Sequence, residues 1–216
     1  VVRTGARAAA LQKLLNRAGL QSAASGPPAP RLDVLPGNAR AELIDLYQVL
    51  GGKEPVRALR PGAWDLAFVD GLVVELDEEL HFNRYRLRTL QAPWSARLPW
   101  HDAYFDFCVR QEQACLDAGK WGKRWTSPSC ESMFGPPGEA GALEGAGAPR
   151  WKQRALYDAI KDLAALTSNA LHLARVSVWD TVGDVRIGDA LSGGAPIDAG
   201  RLRELVDQRT AAAPLA

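Results

Sequence analysis

The sequence predicts an α/β fold, a mixed central sheet flanked by helices, and three observations predict it. Asp70-Gly71 stands between two runs rich in apolar and β-branched residues, 63–69 and 72–77, which is a strong short-range hairpin signal. Residues 171–179 alternate through Leu171, Leu173, Val176 and Val178 and read as a further strand. Around these runs lie segments whose apolar residues recur at helical spacing. With 216 residues, 47% hydrophobic and 24% charged, the chain has material for a sizeable core and is not a disordered tail.

In order along the chain, residues 6–19 predict a helix with a Leu11, Leu14, Leu15 stripe, and 22–31 predict a linker set by Pro27, Pro28 and Pro30. Residues 39–50 predict a second helix, closed by Gly51-Gly52. A strand is expected at 55–59, then the hairpin strands at 63–69 and 72–77. Residues 78–90 are Arg-rich and lead into a helix over 104–118 that Gly119 ends. The Gly/Ala/Pro bias of 134–149 predicts a mobile loop. A helix over 150–166, the strand 171–179 and a loosely attached helix over 199–211 complete the chain. The division expected is an N-terminal helix and linker at 1–31, a core at 32–180, and a helical extension at 181–216.

Charge and targeting signals exclude several classes. The 26 basic and 25 acidic residues leave a net charge of +1, so a nucleic-acid surface would have to be local. No apolar run approaches the ~18 residues of a membrane span. The first ten residues are too rich in Arg for a signal peptide, which makes the cytoplasm the expectation. Three cysteines do not make a secreted disulfide framework, and Cys108 and Cys115 are spaced for core packing rather than for chelation.

The hairpin gathers acids. A tight turn at Asp70-Gly71 places Asp65 almost opposite Glu75 or Val74, to within about one residue, and Glu75 and Asp77 share a face because strand side chains alternate. Three carboxylates at one end of an apolar hairpin repel one another and call for a cation, most naturally a hard divalent ion. Clusters at Arg84/Arg86/Arg88, Lys120/Lys123/Arg124 and Arg150/Lys152/Arg154 each carry an aromatic neighbour, the combination a nucleic-acid groove uses.

Trp64-Asp65-Leu-Ala-Phe, a short turn, Val74-Glu75-Leu76-Asp77, and then His81 and Arg84 resemble the PD-(D/E)xK nuclease superfamily, within it the very-short-patch-repair-like endonucleases. Gln153-Arg-Ala-Leu-Tyr157 is similar to the Gln-x-x-x-Tyr helix element of RecB-like members. The resemblance implies a restriction-endonuclease-like fold and a metal-dependent endonuclease acting on DNA rather than RNA, in repair or in defence against foreign DNA. It implies Mg2+ or Mn2+ on Asp65, Glu75 and the backbone carbonyl of Leu76, and catalytic roles for Asp65, Glu75, Asp77 and His81. It places Arg84, Arg86, Lys152, Gln153 and Tyr157 on the nucleic acid. Asp77 stands where many members have Lys, which leaves a second reading open: a degenerate nuclease fold that binds nucleic acid or a protein partner. A homodimer also stays open. The Trp-rich stretch 94–125 is the candidate partner surface.

Overall fold

Gly71 closes the hairpin with φ of +85°, a left-handed conformation that glycine adopts without steric cost. A computed structural model of the chain describes residues 5–56 and 59–211. In chain order its elements are α1 (Ala6–Arg17), α2 (Gly37–Val49), β1 (Leu66–Ala67), β2 (Leu72–Asp77), α3 (Arg84–Leu90), α4 (His101–Arg110), α5 (Glu112–Gly119), α6 (Pro128–Phe134), α7 (Pro149–Thr167), β3 (His172–Ser177), β4 (Thr181–Val182), β5 (Val185–Arg186), α8 (Ile187–Leu191), α9 (Ala199–Gln208) and β6 (Thr210–Ala211). The fold is mixed α/β.

Two compact units interleave along the sequence. The first takes Val1–Pro28, Ala63–Glu78 and Ser168–Ala216; the second takes Ala29–Gly62 and Glu79–Thr167.

The first unit is built on a four-stranded sheet of order β1-β2-β3-β6. β1 runs antiparallel to β2, β2 parallel to β3, and β3 antiparallel to β6. The hairpin register is Leu66↔Val74 and Ala67↔Val73, and Phe68 N–H donates to the Leu72 carbonyl at 2.9 Å. The loop is thus three residues, 69–71, not the two expected. Residues 22 and 23, expected in the linker, line the other side of β1: Ser22 bridges Phe68, and Ala23 N–H donates to the Ala67 carbonyl. Leu72, Val74 and Leu76 of β2 and Ala174 and Val176 of β3 share one core with Leu11 and Leu15 of α1, Ile187 and Leu191 of α8, and Leu202 and Val206 of α9. The last helix is therefore anchored, not loosely attached, and it ends at Gln208 because 210–211 join the sheet.

The second unit centres on α7, a 19-residue helix against which α2, α3 and α6 pack. The helix expected over 104–118 breaks at Gln111 into α4 and α5. The strand expected at 55–59 does not form at residues 55, 56 and 59; residues 57 and 58 lie outside the described residues. Loop 134–149, expected to be mobile, is tied down. The Tyr85 hydroxyl donates to the Leu143 carbonyl at 3.0 Å and accepts from Ala148 N–H at 3.2 Å, and Trp125 Nε1–H donates to the Gly138 carbonyl. Trp100 and Trp125 are buried and only Trp121 of the expected tryptophan surface is largely exposed, at 61%. Among the described residues no helix is long and apolar enough to cross a membrane.

Candidate active site

The acids of the first unit follow from strand register. Leu66 faces Val74, so one step outward Asp65 faces Glu75 across the ladder. Each carboxylate accepts from a backbone donor of the facing segment: Leu76 N–H donates to Asp65 Oδ2 at 2.9 Å, and Asp65 N–H donates to Glu75 Oε1 at 3.3 Å. Asp65 is exposed and Glu75 is 5% exposed. Leu76, whose carbonyl is the expected third ligand, stands between Glu75 and Asp77 on β2.

Asp77, expected as a third acid, accepts from Arg175 Nη1 on both carboxylate oxygens, at 2.9 Å each. Both side chains are at most 1% exposed. A carboxylate that deep costs several kcal/mol unless a cation meets it. Parallel register brings the cation: Arg175 of β3 pairs with Glu75, one position from Leu76 and two from Asp77. Arg175 was missed because residues 171–179 read as a strand by their apolar positions. An Arg in the middle of an otherwise buried strand was the available signal.

His81, in the second unit, ends a short 3-10 turn over Glu79–His81 and holds its Nδ1 at 2.9 Å from Asp158 Oδ2. Asp158 belongs to a polar stripe on α7, spaced by four. Arg154 Nη1–H donates to the Leu80 carbonyl at 3.2 Å, and Asp162 accepts from Arg86 Nη2 at 2.7 Å. That i, i+4, i+8 spacing in the sequence was the signal that could have found Asp158 and Asp162.

The residues expected on nucleic acid divide. Arg86 is 1% exposed and closed on the buried Asp162, so it does not face a strand; the correction is that it ties α3 to α7. Arg84 is exposed, but its guanidinium meets Glu112 at 2.9 Å and Glu144 at 2.7 Å, and these carboxylates raise its pKa above the ordinary value. Gln153 and Tyr157 turn together, as their spacing predicts, but toward Met133 of α6. Their donors reach its sulfur at 3.2 Å and 3.8 Å. Burial raises the Tyr157 pKa. Lys152 lines a cavity of its own with Arg84 and Arg88. The three cysteines are buried and free, and burial pushes the Cys115 thiol up to about 12, far from a reactive thiolate.

A family model described as "Family of unknown function (DUF7255)" matches residues 45–193, well over half of the chain. The chain belongs to the DUF7255 family. The span matched begins in α2 and ends beyond α8, so it includes Asp65, Glu75, Asp77, His81, Asp158 and Arg175 and leaves out α1, α9 and β6. No curated protein and no solved structure matches this DUF7255 chain.

Proposed function

We propose that this DUF7255 protein is a metal-dependent phosphodiesterase acting on nucleic acid, a DNA endonuclease of the PD-(D/E)xK kind. The single observation that carries the reading is the approach of Asp65 to Glu75 just beyond the β1–β2 ladder, where Asp65 N–H donates to Glu75 Oε1 at 3.3 Å. Further support comes from the sheet: the acid-bearing hairpin is followed by a long crossover containing α7 and a parallel neighbour, β3. A restriction-endonuclease-like arrangement asks for such a sheet.

The donor set fits a magnesium or manganese ion. Asp65 and Glu75 offer hard oxygens from adjacent ladder positions, where Cβ atoms stand about 4.5–5.5 Å apart. Magnesium needs only one or two carboxylates, with water and phosphate oxygens completing its shell. When bound, the ion supplies a water of lowered pKa and neutralises charge at the scissile phosphate. The chain's own residues do the remaining work. Arg175 neutralises the buried charge of Asp77 beside the Asp65–Glu75 pair. Within the second unit, His81 is oriented through Nδ1 by Asp158.

The second reading is a degenerate nuclease fold that binds without cutting. It is favoured by the closed Asp77–Arg175 pair and by the backbone donors on Asp65 and Glu75, which give all three acids a structural use. One experiment separates the two. The full chain is incubated with supercoiled plasmid, linear duplex, single-stranded DNA and RNA, with magnesium, manganese or EDTA, beside Glu75→Ala. The nuclease reading expects metal-dependent cutting that Glu75→Ala abolishes. Metal binding by calorimetry with no cutting of any substrate selects the degenerate reading. No metal binding at all overturns the metal-centre assignment.

A further inference from the structure

Within the second unit, a cavity of about 350 Å³ lies where the C-terminal end of α2 faces α3 and the first turns of α7. Val49, Gly51, Tyr85, Arg84, Arg88 and Lys152 line it. Its walls carry three cations and no acid. Arg84 is already balanced by Glu112 and Glu144. Arg88 is exposed and donates only to the neutral Gln91, at 3.2 Å.

Lys152 is the unusual member. It is 7% exposed, and its ammonium carries three N–H donors. Every Asp and Glu of the chain lies among the described residues, and among them none is placed within ion-pair reach of Lys152. Nor does its ammonium find a protein hydrogen-bond acceptor there. What it meets is the Tyr85 ring, 5.5 Å from Nζ to the centroid, and the open side of Gly51, where a Cβ would lie 3.5 Å from Nζ. A ring face and a helix C-terminus attract a cation weakly, and neither neutralises the ammonium that lines the cavity. The α7 N-terminal end on which Lys152 stands adds positive field. Burial lowers the Lys152 pKa, the mark of a charge held without its counterion.

We propose that this cavity is a binding site for a phosphate monoester group, held by Lys152 and Arg88. Two uncompensated cations match a doubly charged tetrahedral oxyanion better than a single carboxylate, with Lys as the point charge and Arg as the fork. The group comes either from a small phosphorylated metabolite or from the terminal phosphate of a nucleic-acid strand. The proposal does not rest on the nuclease reading, because none of its residues belongs to the Asp65–Glu75 pair.

The test uses the full chain in EDTA-containing buffer, so that no metal centre contributes. Inorganic phosphate is titrated at ionic strength matched with chloride and followed by calorimetry and by thermal midpoint. Saturable binding is expected, weakened at least about tenfold by Lys152→Met and severalfold by the exposed Arg88→Gln. Arg88→Gln keeps the test decisive if Lys152→Met folds poorly. A second arm compares a short single strand bearing a 5′-phosphate with its 5′-hydroxyl twin. Preference for the phosphorylated strand, lost in the variants, assigns the site to strand ends. Phosphate binding without that preference assigns it to a small metabolite. Absence of saturable phosphate binding, or binding that neither variant weakens, overturns the proposal.

Discussion

Asp77 and Arg175 show how a residue's role follows from its surroundings rather than from its type. At the end of a solvated strand Asp77 would be a ligand; at 1% exposure against an equally buried guanidinium it is half of an ion pair. Removing one half of such a pair leaves an uncompensated buried charge and costs about 3–5 kcal/mol, whereas replacing both by apolar groups of similar volume is often neutral. Arg175→Met is therefore expected to lower the denaturant midpoint sharply, and Asp77→Leu/Arg175→Met to recover most of the loss. Additive losses in that cycle would contradict the pairing. Lys152 makes a prediction of opposite sign. Its pKa is lower in the folded state than in the unfolded chain, so in the window between the two values the unfolded state binds more protons and stability rises with pH. Unfolding free energies of wild type minus Lys152→Met, measured from pH 7 to pH 11, should rise through that window and be flat below it. A flat difference throughout would show that the ammonium is not desolvated.

At the scale of elements, the sequence made legible what local chemistry decides. Asp70-Gly71 located the hairpin, and its register came within one residue because the turn is the only local variable: three residues rather than two. The long periodic run at 150–166 is α7 almost to the residue. Misreadings fall where tertiary partners decide. Residues 134–149 have the composition of a free loop, yet they are fixed because the Tyr85 hydroxyl uses both its donor and its acceptor on the loop backbone. Residues 104–118 keep one apolar periodicity across Gln111, and the break there has no local sequence signal. The Asp65–Glu75 pairing was readable because both acids sit on one hairpin. The residues Arg175, Asp158 and Asp162 carry local signals of their own, but which groups they meet is not local, because those partners lie about 80 to 100 residues away in the chain.

Interleaving is the feature of the whole molecule that no single element reveals. The sheet unit is assembled from three separated segments, so its core is complete only when the last of them arrives. That segment contributes in three ways. Leu202 and Val206 are fully buried in the same core as Leu11 and Leu15. β6 pairs with β3 through Leu173↔Ala211 and Ala174↔Thr210. Arg209 meets Asp180 at 2.7 Å, and Asp180 is a buried carboxylate whose pKa desolvation already raises. Each buried Leu truncated to Ala costs about 2–5 kcal/mol, and a buried acid robbed of its cation costs a comparable amount. Removing the whole segment thus approaches the roughly 5–15 kcal/mol that holds a typical protein folded. Deletion of residues 199–216 is accordingly expected to abolish protection of the β2 and β3 amides in hydrogen exchange and to remove their cooperative unfolding transition. Leu202→Ala alone should keep the transition and move it to lower denaturant. Retained protection of β2 and β3 in the truncated chain would mean that the sheet is held together without its final strand and helix.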